Sequence, residues 1–362
     1  MTTELRSGPT AQAPARAITI DCDIHHAPTD DVLERYLPAR WRRHRQLVGG
    51  RYPFGYLYPK SAPQAARTDA WPPGGGPPGS NLDLLREQVL DRYAIQYGIL
   101  NCLHDAAYES NPQFAVALAR AINDWTLTEW LEREPRLRAA IVVPYEYAEE
   151  AAAEIERVGA HPGFVQVLLL VRSREPFGQR RYWPIYEAAQ RHGLPVAIHF
   201  GGRGGNPITG CGWPSYYIED HAGMAQAFQA QLVSLVAEGV FVRFPALKVL
   251  LLEGGFAWLP PLMWRLDRGW QRLREEIPEL TQAPSAYIRQ HISLSTQPME
   301  EPAQPHHLRQ LIESVGLDDM LLFATDYPHW DFDDPLRAFP VALPADVMRK
   351  IMGQNARALY GL

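Results

Sequence analysis

The sequence is poor in the features that would announce a secreted, membrane-bound or nucleic-acid-binding protein. Its three cysteines, Cys22, Cys102 and Cys211, are an odd number spread over 362 residues without a CxxC pair. That pattern indicates neither a disulfide framework nor a thiolate zinc site, and it suits a reducing cytoplasm. No apolar run approaches the roughly 18 residues that span a bilayer, and the opening "MTTELRSGPTAQAPARA" holds no apolar stretch of signal-peptide length. There is no block of Lys and Arg either: 35 basic residues face 41 acidic ones, a formal charge of -6. Neither nucleic acid nor a membrane is therefore an expected partner. The expectation is a cytoplasmic protein, with residues 1–17 as a disordered tail and 18–362 as one domain.

What is present is a core-forming composition, 46% hydrophobic and 21% charged, and a rhythm. Eight short segments rich in Val, Ile and Leu recur: "AITID" (17–21), "YGILNCL" (97–103), "AAIVVP" (139–144), "FVQVLLLV" (164–171), "LPVAIHF" (194–200), "LKVLLLE" (247–253), "HISLST" (291–296) and "MLLFATD" (320–326). Stretches with apolar positions near 3.6-residue spacing separate them, for example 111–134 and 181–193, the latter ending in glycine. Near-continuous apolar strands alternating with amphipathic helices are what a buried parallel sheet demands. Eight such units predict an α/β fold of the (β/α)8 TIM-barrel type. One excursion breaks the rhythm. Residues 40–80, with "RYPFGYLYPK" and "WPPGGGPPGS", are dense in Pro, Gly and aromatics and lack helical period, so an insertion after the first strand is expected, either as a surface loop or as a lid or subunit contact.

In a TIM barrel the catalytic side chains sit at the C-terminal ends of strands, and here Asp23, His199, Glu253 and Asp326 all fall there. Asp23 and His25 stand two apart, so their side chains share one face of the strand while His26 turns away. An acid capping an apolar barrel strand, as Asp326 does, is costly to bury without a cation or several hydrogen bonds. Taken singly, the Asp-x-His pair and the lone strand-five histidine read as ordinary structure. Together, two carboxylates and two imidazoles from strands one, five and eight offer a mixed nitrogen and oxygen set for one divalent ion, Zn²⁺ first, with Mn²⁺ or Fe²⁺ as alternatives.

The stretches "IDCDIHHAP", "YWPIYEAAQRHGLPVAIHFGG", "FPALKVLLLEGGFAWLP", "LLFATDYPHWDF" and "IMGQNARALYGL" together resemble the amidohydrolase superfamily. The likeness is to its amidohydrolase-related branch, which includes aminocarboxymuconate-semialdehyde decarboxylase and the resorcylate-type decarboxylases. The resemblance implies Asp23, His25, His199 and Asp326 as metal ligands, with Asp23 standing where the family commonly has histidine. It also implies Asp326 as the residue that takes a proton from metal-bound water. The sixth strand departs as well: Glu253 stands where many relatives read histidine before two glycines, and could bind the metal, act as acid/base or hold a neighbouring histidine. His221, in "YYIEDHAGMAQAF", is a site residue or a helix-start packing group. His329 and Arg203 are candidate substrate contacts, Arg203 for a substrate carboxylate, against ordinary loop roles.

Two chemistries follow. A metal-activated water can hydrolyse a small amide, lactone or similar bond, with Asp326 as base and an acid near Glu253 or His221. The same ion can hold a carboxylic acid for non-oxidative decarboxylation. Hydrolysis is set narrowly ahead, because the sixth-strand histidine is absent. A metal-binding or ligand-binding barrel without turnover is the third reading. The aromatic excursion and the resemblance suggest a homodimer.

Overall fold

Each of the eight apolar segments forms a strand: β1 (Ile20–Ile24), β2 (Tyr97–Leu100), β3 (Leu137–Val142), β4 (Phe164–Leu170), β5 (Val196–His199), β6 (Val249–Leu252), β7 (Ile292–Ser295) and β8 (Leu321–Leu322). They pair in parallel in the order β1 to β8 in a computed structural model that describes residues 18–48, 65–104, 106–202 and 209–362. The expected tail 1–17 lies outside the described residues. Among those described, no helix is long and apolar enough to cross a membrane.

The ring closes between β8 and β1. The Cys22 amide donates to Phe323 O at 2.9 Å, Asp326 N to Asp23 O at 3.0 Å and His25 N to Tyr327 O at 2.7 Å. Regular strand pairing in β8 is two residues long because side chains take over beyond it. Ala324 N donates to Thr296 Oγ1, and Thr325 N to Asp21 Oδ1. With helices following the strands, this is the (β/α)8 barrel that the sequence predicts.

Two cores result. Ile24, Ile122, Leu169 and Leu251 belong to the layer between sheet and helices, and Ile20, Ile99, Val165, Leu168, Leu250 and Leu252 fill the barrel interior. Alternation along a strand is interrupted twice. In β1, Asp21 pairs with Gly98 and Ile24 with Leu100, three steps against two. In β4, Ala139 pairs with Phe164 and Ala140 with Gln166, one step against two. Each bulge adds a residue and turns the following side chain inward. Cys22 and Asp23 therefore both face the interior, as do Val165 and Gln166.

Helices form where the spacing placed them. Asn111 caps Pro112–Thr126 by accepting from Gln113 N and Phe114 N, and Trp183–Arg191 stops before Gly193, whose φ is +66°. The excursion differs from expectation at its start: Ala39–Val48 is helical. Its arginines and glutamine favour helix, and Trp41 anchors it on the Phe114 ring, centroids 4.7 Å apart. Residues 49–64 lie outside the described set. The returning limb lies along the mouth, with Arg67 N donating to Pro328 O and Trp330 N to Ala65 O. Gly79 passes so close that a Cβ on it would lie 2.5 Å from His25 O, with φ +78° besides, so only glycine fits.

Candidate metal centre

At the C-terminal end of the barrel, donor atoms of Asp23, His25, His199, Glu253 and Asp326 lie within 4.8 Å of one another, all on buried residues. His25 Nε2 is 2.8 Å from Asp326 Oδ1 and 3.6 Å from Asp23 Oδ1. His199 Nε2 is 3.0 Å from Asp23 Oδ2 and 3.2 Å from Glu253 Oε2. The two rings stand at 89°, so their Nε2 atoms reach the cluster from different sides. Behind them, His25 Nδ1 faces Asn101 O at 3.0 Å and His199 Nδ1 faces Phe200 O at 2.6 Å. These carbonyls fix the tautomer that leaves Nε2 free as a ligand atom.

Local backbone puts the acids there. Glu253 follows β6 with φ +58° and Asp326 lies beyond β8 with φ +61°. Non-glycine residues held in the left-handed region cost about 1 kcal/mol each or more, and at both positions the turn swings the carboxylate back over the mouth. Glu253 N is tied to Ser295 Oγ.

The electrostatics are those of a crowded acid cluster. Burial alone would raise the pKa of Asp23 and of Asp326. The charges of His199 and His25 lower Asp23 instead, and His329 with His25 lowers Asp326. Burial would lower His25, but Asp23 and Asp326 lift it to about 9. Glu253 goes the other way: burial, then Asp326 and Asp23, push it well above the usual carboxyl range. Three carboxylates meet two imidazoles here, and among the described residues no lysine or arginine pairs with any of the five. That donor set fits a divalent cation.

The remaining expected residues fall around this cluster. His329 Nδ1 lies 2.7 Å from Asp326 Oδ1, so it holds the acid. Together with His25 it borders a cavity of about 260 Å³ that Cys102, Pro78 and Pro328 also line. His221 sits in the first turns of the helix Tyr217–Ala237, outside the five, with Nε2 2.9 Å from Asp331 Oδ2. Arg203 lies outside the described residues. His26 turns away as expected: Nε2 meets Thr126 Oγ1 at 2.8 Å, the ring stacks on Trp125, and burial pushes its pKa down to about 3. Asp21 braces the seam by accepting from Thr325 N at 2.9 Å and Thr325 Oγ1 at 2.6 Å, and burial lifts it to about 7.

Three contributors escaped the sequence reading. Asn101 Nδ2 donates to Asp23 Oδ1 at 2.8 Å. Gln297 Nε2 donates to Asp326 Oδ2 at 3.1 Å and to Asp331 Oδ2 at 3.0 Å. Asn101 and Gln297 stand just past the ends of β2 and β7, so the rule that found the acids would have found them had it been extended to amides. Asp331 is five residues beyond Asp326 in a loop, where spacing carries no signal.

The family model described as Amidohydrolase matches residues 20–362. A gamma-resorcylate decarboxylase of Polaromonas sp. is 26% identical over 295 residues, which are 76% of this chain and 86% of that one. Among solved structures, an amidohydrolase of Mycobacterium avium subsp. paratuberculosis superposes with a TM-score of 0.75 at 21% identity, covering 96% of this chain and 100% of that one. A dihydroxybenzoic acid decarboxylase of Polaromonas sp. JS666, with bound manganese and the inhibitor 2-nitroresorcinol, superposes with a TM-score of 0.67 at 23% identity, covering 95% and 97%.

Proposed function

The chain belongs to the amidohydrolase family, and we propose that within it the protein is a metal-dependent carboxy-lyase that releases CO₂ from a small hydroxy-substituted aromatic acid. The observation that carries this reading is the convergence of Asp23, His25, His199, Glu253 and Asp326 at the barrel mouth. The decarboxylase name of the Polaromonas relative supports it and shifts the balance from hydrolysis toward loss of CO₂.

Asp23, His25, His199 and Asp326 would hold one divalent ion. Two carboxylates beside two imidazoles suit Mn²⁺ as well as the Zn²⁺ expected from sequence, and manganese is the metal named for the Polaromonas structure. When bound, such an ion draws in a substrate carboxylate with a neighbouring oxygen and lowers the pKa of water. For CO₂ to leave, the bond from ring to carboxylate breaks, its electron pair stays on the ring carbon, and a proton must reach that carbon. Glu253 is the donor we assign, because it is the one carboxyl of the cluster outside the four proposed ligands. His221, raised by its hydrogen bond to Asp331, stands on the Gln297 side as a second proton source. Asp326 stays ionised between His25 and His329. Arg203 is proposed to pair with the substrate carboxylate.

Glu253, an acid just past β6 where the family resemblance implies an imidazole, favours hydrolysis as a second reading. In that reading Asp326 is the base toward water. The metal-loaded protein, incubated with a panel of hydroxybenzoic acids and lactones, decides between them. Release of CO₂ from a hydroxybenzoic acid is expected; lactone opening with no CO₂ from any acid would overturn the carboxy-lyase assignment.

A further inference from the structure

A file of polar side chains crosses the largely apolar barrel interior, and the direction of its hydrogen bonds is dictated from end to end. Asp23, as a carboxylate, can only accept, so Asn101 presents its Nδ2 group, giving one proton to Asp23 Oδ1 at 2.8 Å and the other to Cys22 O at 3.1 Å. Its Oδ1 must then accept, and Gln166 Nε2 supplies the proton at 2.8 Å. Gln166 is left with Oε1 facing Tyr360, whose hydroxyl must donate, at 2.8 Å. With its single proton committed, the phenol oxygen can accept from the Cys22 thiol beside it. Every link points toward Asp23.

The file is built, not incidental. Asp23 and Gln166 are both the residues that the two bulges turn inward. Between them Asn101, fully buried, also offers its backbone carbonyl to His25 Nδ1. One residue thus steadies both donors of the first strand. At the far end Tyr360 belongs to the C-terminal helix Asn355–Tyr360 and packs with Leu359, Leu362 and Ile18 at the opposite mouth of the barrel. Aligned hydrogen bonds in a low-dielectric interior polarise one another. A missing link would leave a buried acceptor unpaired and free an amide to rotate.

We propose that Tyr360, Gln166 and Asn101 form a positioning chain that fixes Asp23 for metal binding, so that the C-terminal helix at one end of the barrel sets metal affinity at the other. The inference rests on the reading of the cluster as a metal site. None of the three touches the reacting atoms; they act through Asp23.

The test is Mn²⁺ titration of the chelator-stripped full chain by calorimetry, with melting of the stripped protein measured alongside. Wild-type protein that binds no Mn²⁺ or Zn²⁺ would overturn the metal reading itself, before any variant is compared. Given binding, Gln166→Met is expected to weaken Mn²⁺ about 10-fold, at the low end of the range typical of groups behind metal ligands, and Tyr360→Phe about 3-fold, less because it stands one link further from Asp23. The double variant should bind as Gln166→Met does, because one broken link already uncouples the tyrosine. If Gln166→Met does not fold, Asn101→Asp, which keeps the size and removes the donor, is expected to weaken Mn²⁺ at least about 10-fold. A Tyr360→Phe protein that melts lower yet binds Mn²⁺ like wild type would reduce Tyr360 to a packing residue and overturn the proposal, as would additive losses in the double variant.

Discussion

Asp326 and Asp331 share one amide nitrogen: Gln297 Nε2 lies 3.1 Å from Oδ2 of the first and 3.0 Å from Oδ2 of the second. Both amide protons are thereby spent between two acids, and through Asp331 the link extends to His221. Replacing Gln297 with Leu removes the side chain that hydrogen-bonds both carboxylates. Turnover should fall about 10- to 100-fold, in the range found for groups that orient metal ligands, with KM changed less than about 2-fold. Steady-state kinetics with unchanged kcat would remove Gln297 from the machinery.

His199 supplies one of the two imidazoles of the cluster from a fully buried position. His199→Ala should weaken metal binding at least about 10-fold, read by competition against a chromophoric chelator. Asp326→Asn keeps the shape and removes the charge that His25 and His329 surround. Its expected outcome is lost turnover with a native circular dichroism spectrum, and retained turnover would refute the role assigned to the carboxylate.

Glu253 carries both backbone strain, at φ +58°, and a carboxyl crowded by two other acids. Glu253→Gly relieves both. Glycine takes the left-handed conformation without the roughly 1 kcal/mol penalty of a side chain, so the metal-free variant should melt about one to two degrees higher by calorimetry. Turnover should be lost. A more stable and inactive variant is the signature of strain kept for chemistry, and a variant that is less stable would contradict it.

Far from the cluster, Glu134 accepts from Arg136 Nε at 2.8 Å and Nη2 at 3.0 Å, and from Arg86 Nε at 2.8 Å. The Arg136 hydrogen bonds, with Arg86 helping, pull its pKa down to about 2 from an ordinary 4.5. A carboxyl depressed in the folded state contributes stability that is present above the unfolded value and lost as pH falls toward the folded one. Glu134→Gln should therefore cost about 2 kcal/mol at pH 7, with the difference from wild type narrowing between about pH 4.5 and 2. Urea midpoints across that range check the sign; a difference independent of pH would refute it.

The barrel was legible because its evidence is repetitive. Eight apolar strands and the helices between them each restate one pattern, and an error in one leaves the rest standing. The cluster was legible because Asp23, His25, His199, Glu253 and Asp326 are costly residues at strand ends. What stayed hidden depends on single backbone events. The bulge in β1 decides that Cys22 and Asp23 face the same way and the bulge in β4 does so for Val165 and Gln166, and nothing in "IDCDI" or "FVQV" marks the extra residue. The helix Ala39–Val48 was missed because its stability comes from Trp41 meeting Phe114, a contact between residues 73 apart, and not from an apolar period of its own.

The seam that closes the barrel runs through the cluster, for Asp326 N bonds Asp23 O and Thr325 is gripped by Asp21, 304 residues earlier in the chain. The first and last strands must meet before the five donor atoms can. Assembly of the site is thus inseparable from one of the long loop closures the chain has to make. Whatever binds there draws the open ring toward the closed one by mass action, so a chain that loses its last strand should lose its ligand and its ring together.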